Sequence, residues 1–229
     1  MPTPEPAPEP TPEPTSARRA DALLRGLYRG LEALYGLESG IDPVAHLHPV
    51  ESSAGAGREA LVLRESPDGL EVALAIDAGV LRRLESVEPA RALMDERLAD
   101  TLPVLEGLSH LLYVAEAARR ERPFSGLELE TQAEVDKLAL CVLNRWERWP
   151  QAREQYAALV DRLFYRFRLA DDLGPGLRAR YQRANRLALG FSRQLGATVE
   201  RGEYGQLRRL LRRFWSAGMD EKRGLAQMA

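Results

Sequence analysis

Beyond Asp77 the chain carries apolar residues at three- and four-residue steps, and Pro103, Pro123, Pro150, Gly174-Pro175 and Gly202 cut this pattern into short-linked segments. A proline cannot continue a helix interior without losing a hydrogen bond, so these positions set helix boundaries. The periodicity predicts helices at about 78–86, 90–99, 103–122, 126–149, 151–169, 175–200 and 204–216. Short links between successive helices favour an antiparallel bundle over residues 78–216.

Upstream, Leu23, Leu24, Leu27, Leu31, Leu34 and Tyr35 repeat at helical spacing, which predicts a first helix over 17–37 that ends near Gly36 or Gly40. Residues 41–77 hold the β signal: "EALVLRE" and "LEVALAID" flank "SPDG", whose Pro67 and Gly69 suit a turn. An isolated hairpin is marginal in water, so it needs a helix to lie on or a third strand, with "HLHPVES" available. "SSAGAG" reads as a loop. The fold class expected is α+β and predominantly α-helical, with a small antiparallel β-hairpin or sheet in the N-terminal third followed by the bundle.

Residues 1–16 alternate proline with Thr, Glu and Ala, a composition that buries nothing and predicts a disordered tail. Residues 17–229 are expected to form a single globular domain closing on a flexible tail over 217–229. Hydrophobic residues at 45% and charged ones at 29% are enough for a core. No stretch approaches the ~18 apolar residues of a membrane span, and the N-terminus lacks the basic start and apolar centre of a signal peptide. The single cysteine, Cys141, excludes an intramolecular disulfide and a cysteine-based zinc cluster. A cytoplasmic location is the expectation.

Chemistry-bearing residues concentrate in "LEGLSHLLYVAEAARRERPFSGLELETQAEVDKLAL", residues 105–140. Projected at 100° per residue, Leu105, Leu108, Leu111, Leu112 and Ala115 make one stripe, with Glu106, His110 and Tyr113 opposite. Glu106 and His110 stand at i and i+4, close enough to pair. Ser125 and Glu128 form a capping box for the next helix, with Phe124 and Leu129 as a hydrophobic staple, so Glu128 is assigned to the cap. Apolar residues cover most of that helix. Its narrow polar stripe holds Glu130, Glu134, Lys137, Cys141, Asn144 and Arg148, where Glu134 and Lys137 read as a surface pair.

Asp136 falls outside this stripe, in an apolar sector. A carboxylate there requires an arginine, a histidine, a helix terminus or water. Glu106, His110, Asp136 and Glu130 are therefore the candidate polar or metal site, with His46 and His48 as more distant donors. Structural ion pairing outweighs coordination in this pattern, and neither metal, cofactor nor catalytic residue is expected. The chain has no Gly-x-Gly-x-x-Gly, no Gly-Lys-Ser/Thr loop, no Gly-x-Ser-x-Gly and no His-Glu-x-x-His.

Charge is uneven. Residues 178–223 hold twelve basic against four acidic side chains, a net of +8, which leaves −10 for the rest of a chain whose total is −2. In "QLRRLLRRFW", Leu207, Leu210, Leu211 and Phe214 form an apolar face flanked by Arg208, Arg209, Arg212 and Arg213, beside Trp215. A basic amphipathic helix of this kind contacts an acidic protein, nucleic-acid phosphates or an anionic membrane, or packs inward with solvated arginines. The first functional expectation is a non-catalytic interaction or adaptor module, with another protein as partner and homo-oligomerisation open. The alternative is a small enzyme or metalloprotein centred on His110, Glu106 and Asp136. Nucleic-acid binding through the arginine-rich third is the remaining expectation.

Overall fold

The computed structural model describes residues 16–51, 59–66, 69–94, 96–146, 155–169, 171 and 173–227. Residues 1–15 of the expected N-terminal tail, the "SSAGAG" loop, the Pro67-Asp68 turn and Arg148 to Pro150 lie outside them, while Ser16 opens the first helix. The architecture is α+β and predominantly helical. Helix α1 (Ser16–Tyr35) is followed by a 3-10 turn (Pro43–His46) and strands β1 (Leu47–Val50), β2 (Glu59–Ser66) and β3 (Gly69–Asp77). Helices α2 (Ala78–Leu84), α3 (Pro89–Ala92), α4 (Leu98–Arg119), α5 (Gly126–Trp146), α6 (Tyr156–Val160), α7 (Pro175–Glu200), α8 (Tyr204–Ser216) and α9 (Met219–Gln227) complete it.

Helix α1 buries the predicted stripe, Leu23, Leu24, Leu27, Leu31, Leu34 and Tyr35. It stops at Gly36, whose φ of +68° is the left-handed conformation that glycine adopts without a Cβ penalty. The β2–β3 hairpin pairs antiparallel from Glu59↔Ile76 to Ser66↔Gly69. β1 joins the other edge of β3 in parallel, Leu47↔Leu74 to Val50↔Asp77, so the sheet is mixed, with order β1-β3-β2. The third strand thus comes from "HLHPVES". Its direction follows because β1 and β3 are not joined by a tight turn: β2 intervenes and takes the opposite edge.

Three expected boundaries move. Pro103 lies inside α4 rather than at its start, since Leu98 is fully buried and Thr101 Oγ1 donates to Ala92 O at 2.7 Å, which anchors the turn upstream. The helix expected over 151–169 is, where described, the short α6 running into a π-helical turn at Asp161–Tyr165. The expected flexible tail at 217–229 is instead largely α9, held by buried Leu225, Ala226 and Lys222 and by Gln194 Nε2 donating to Leu225 O.

A contiguous apolar core runs from Leu23 to Ala226, with α4 and α5 inside it. Both helices are buried on nearly every face. The sheet approaches α4 closely at Gly107: a Cβ there would sit 2.4 Å from Leu74 Cδ1 and 2.8 Å from Glu59 Oε2. The missing side chain at 107 admits β2 and its glutamate to the helix pair.

Candidate metal centre

Because α4 and α5 are interior, the polar stripes read from the sequence as solvent-facing turn toward each other and toward β2. Antiparallel contact places Ser109 against Asp136, Tyr113 against Glu128 and Glu106 against Lys137. Glu130, Glu134 and Lys137 are each 6% exposed or less, so the Glu134–Lys137 pair forms at 2.6 Å but is buried, not a surface pair. Ser125 caps α5 by accepting from Glu128 N at 3.2 Å. The Glu128 carboxylate, however, does not complete the box: it accepts from Tyr113 Oη and from Arg122 Nη1.

His110 lies between two carboxylates from different elements. Its Nδ1 faces Glu59 Oε1 of β2 at 3.5 Å and its Nε2 faces Glu130 Oε2 of α5 at 3.4 Å. Glu106, one turn before His110, accepts from Lys137 Nζ at 3.0 Å. One donor atom from each of Glu106, His110 and Glu130 lies within 4.8 Å of the other two. Among the described residues, Glu59 Oε2, His110 Nε2 and Glu130 Oε2 are all buried without a hydrogen-bond partner.

The electrostatics carry a deficit of positive charge. Glu59, Glu106, Glu130 and Glu134 face Lys137 and the His110 ring, which leaves −2 even with the imidazole protonated. Burial alone would lower the His110 pKa, but the flanking carboxylates of Glu130 and Glu59 outweigh it and raise the ring to about 10. Burial likewise works against Lys137, and the charges of Glu106 and Glu134 hold it above its ordinary value. Burial raises Glu134 and raises Glu59, the latter only partly offset by His110. Tyr181 of α7 overlooks the group: its pKa is raised by burial and by Glu106, Glu130 and Glu59.

No protein-family model, curated protein or solved structure matches the chain.

Of the four site residues anticipated from sequence, the structure brings Glu106, His110 and Glu130 together and places Asp136 elsewhere. Asp136 is fully buried and accepts from Ser109 Oγ at 2.5 Å, Gln132 Nε2 at 2.7 Å and Tyr35 Oη. Gln132 Oε1 in turn accepts from Lys222 Nζ of α9 at 2.6 Å. His46 is engaged with Val72 O at 3.0 Å. Glu59 was not among the anticipated residues. Strand alternation would have found it, because Glu59 shares the inward face with Leu61.

The arginine helix is partly used inside the fold. Arg208 Nη2 donates to Ala33 O at 2.8 Å and Arg212 Nε to Leu34 O at 2.6 Å, capping the carbonyl end of α1. Arg209 bonds Gln206 and Arg213 bonds Glu221, both in the open. Trp215 is buried, stacked on Tyr35 at 4.2 Å and edge-on to Tyr113 at 4.9 Å.

Proposed function

We propose that this chain is a metalloprotein whose centre, formed by Glu106, His110 and Glu130, binds one first-row divalent cation. The observation that supports the reading is the set of buried, unsatisfied atoms pointing at one another. Buried polar atoms without partners are rare in folded proteins because each costs about 1–3 kcal/mol. His110 Nε2 and Glu130 Oε2 stand 3.4 Å apart. Two ligands at about 2.0–2.1 Å on a tetrahedral ion lie roughly 3.3–3.4 Å from each other.

The Glu59–His110 contact supports the same reading. A carboxylate on the far nitrogen of a ligating histidine fixes the tautomer and orients the ring. Glu59 is positioned to hold Nδ1–H and leave the Nε2 lone pair toward Glu130, with a Glu106 donor within 4.8 Å of the group. A divalent ion with a neutral imidazole takes the group from −2 to −1, which lowers the cost of burying four carboxylates. One imidazole with two carboxylates suits zinc, manganese or iron(II) better than magnesium or calcium, which prefer oxygen alone. Three protein ligands is the number found where a coordination position is left for water, which favours a site with chemistry over a closed structural one.

Elemental analysis of protein purified without chelator checks this. The expected result is about one metal ion per chain, with loading retained in Asp136→Asn and lost in Glu130→Gln, a near-isosteric change that preserves packing. Wild-type protein that is folded but binds neither zinc nor manganese overturns the proposal, as does a Glu130→Gln variant that loads fully.

A further inference from the structure

Helix α9 has nine residues and joins α8 through Ala217 and Gly218. An isolated helix of this length does not persist in water, so α9 is helical because it is docked. Its apolar anchors are Leu225 and Ala226. Gln194 Nε2 of α7 donates to Leu225 O, and Arg213 of α8 meets Glu221 at 3.3 Å in the open. Helix α7 receives α9 at Gly190, where a Cβ would lie 2.3 Å from Ala226 O.

The remaining anchor, Lys222, is fully buried. Its Nζ donates to Gln132 Oε1 of α5 at 2.6 Å and to Phe214 O of α8 at 2.7 Å, and lies 4.6 Å and 5.4 Å from the ring centroids of Phe214 and of Tyr113 on α4. The carboxylates facing it from α5 are held by other donors: Glu128 by Tyr113 and Arg122, Asp136 by Ser109, Gln132 and Tyr35. Arg122 adds a positive charge, Glu221 on α9 turns to Arg213, and α7 presents the neutral Gln194 amide. Two neutral carbonyl oxygens match the two N–H bonds of an uncharged amine, and burial among them disfavours the ammonium. In keeping with this geometry, burial lowers the Lys222 pKa to about 7.

We propose that α9 is a latch released by acid: a proton taken up at Lys222 favours the undocked helix, where the ammonium is hydrated, and its loss favours docking. Opening at Ala217 and Gly218 carries Lys222 into water, uncovers the α7 face at Gly190 and leaves Gln132 to be hydrated. The latch thereby controls access to that face and to the polar network behind it. Undocked, the lysine has its ordinary value of 10.5, against about 7 when docked. Docking therefore strengthens as pH rises between these values and levels off below 7. Local opening of a terminal element does not require the core to unfold.

The test is amide hydrogen exchange of the full chain, corrected for the intrinsic rate and followed from about pH 6.5 to 8.5, between the values of about 6 for Asp136 and about 10 for His110. The expected opening constant for residues 222–226 exceeds that of the α4 core at every pH and falls by roughly tenfold or more across the interval. Lys222→Met should remove this dependence. Gly190→Ala sets a Cβ against Ala226 O and keeps the lysine, so it should raise opening at every pH without changing the slope. Exchange of α9 at the α4 rate or a flat wild-type slope overturns the proposal. So does a slope that persists in Lys222→Met, or a Gly190→Ala variant that exchanges as wild type does. If circular dichroism shows Lys222→Met unfolded, the wild-type and Gly190→Ala profiles decide the matter.

Discussion

Replacing Lys222 with alanine lowers the unfolding free energy by about 3–5 kcal/mol, read from chemical denaturation. Lys222 is fully buried on α9, donates to Gln132 Oε1 at 2.6 Å and to Phe214 O at 2.7 Å, and places its ammonium 4.6 Å from the Phe214 ring centroid. Truncation leaves a cavity and two acceptors without their donor, and both effects have the same sign. A loss below 1 kcal/mol contradicts this placement of α9.

The same lysine makes stability depend on pH in a defined direction. Burial depresses its pKa from 10.5 to about 7, against the opposing charges of Glu128 and Asp136; Arg122 lowers it further and Glu221 raises it. Between those values the unfolded chain binds more protons than the folded one, so the contribution of Lys222 rises as pH increases from about 7 to 10.5. In the metal-free protein His110 works the other way: its folded pKa is raised to about 10, so its contribution is complete below about 6.5 and is lost as pH rises through 10. Asp136, raised by burial to about 6, favours the folded state at low pH and loses that contribution as pH climbs from 3.8 to 6. Subtracting the profile of Lys222→Met from that of wild type isolates the lysine, because His110 and the metal-centre carboxylates are common to both. The difference should slope upward above pH 7.

The second large effect is thermal. At a metal concentration about a hundred times Kd, binding to the folded state alone adds about 2.7 kcal/mol, which for a chain of this size raises Tm by roughly 5–10 °C. Differential scanning calorimetry of EDTA-treated protein with and without zinc or manganese should show this shift in wild type and its loss in Glu130→Gln. An unchanged Tm in wild type at millimolar metal contradicts the metalloprotein reading.

Much of the fold was legible because it rests on local signals. The α1 stripe and its glycine stop, the β2–β3 pairing and the Ser125 cap each depend on residues within a few positions of one another. What was not legible depends on coverage. A helical projection gives the direction of Glu130, Glu134 and Lys137 but not what lies over them, and β2 and α7 turn that stripe from surface into interior. Asp136 was visible as a carboxylate in an apolar sector, and the need for a partner was clear. Its donors, Tyr35 and Ser109, and Lys222 behind Gln132 come from three other helices, so no spacing in the sequence announces them. Helical projection puts Tyr113 opposite the apolar stripe of α4 and Trp215 beside the apolar face of α8, yet both pack inside, where Tyr113 Oη still finds Glu128 and Arg122.

The most direct test of the central claim is anomalous diffraction from crystals grown with manganese or zinc. The account predicts one anomalous peak within about 2.0–2.2 Å of His110 Nε2 and of a carboxylate oxygen from each of Glu106 and Glu130, with Glu59 on His110 Nδ1. Density with no peak there, and His110 shared between Glu59 and Glu130 as a protonated ring, would contradict it.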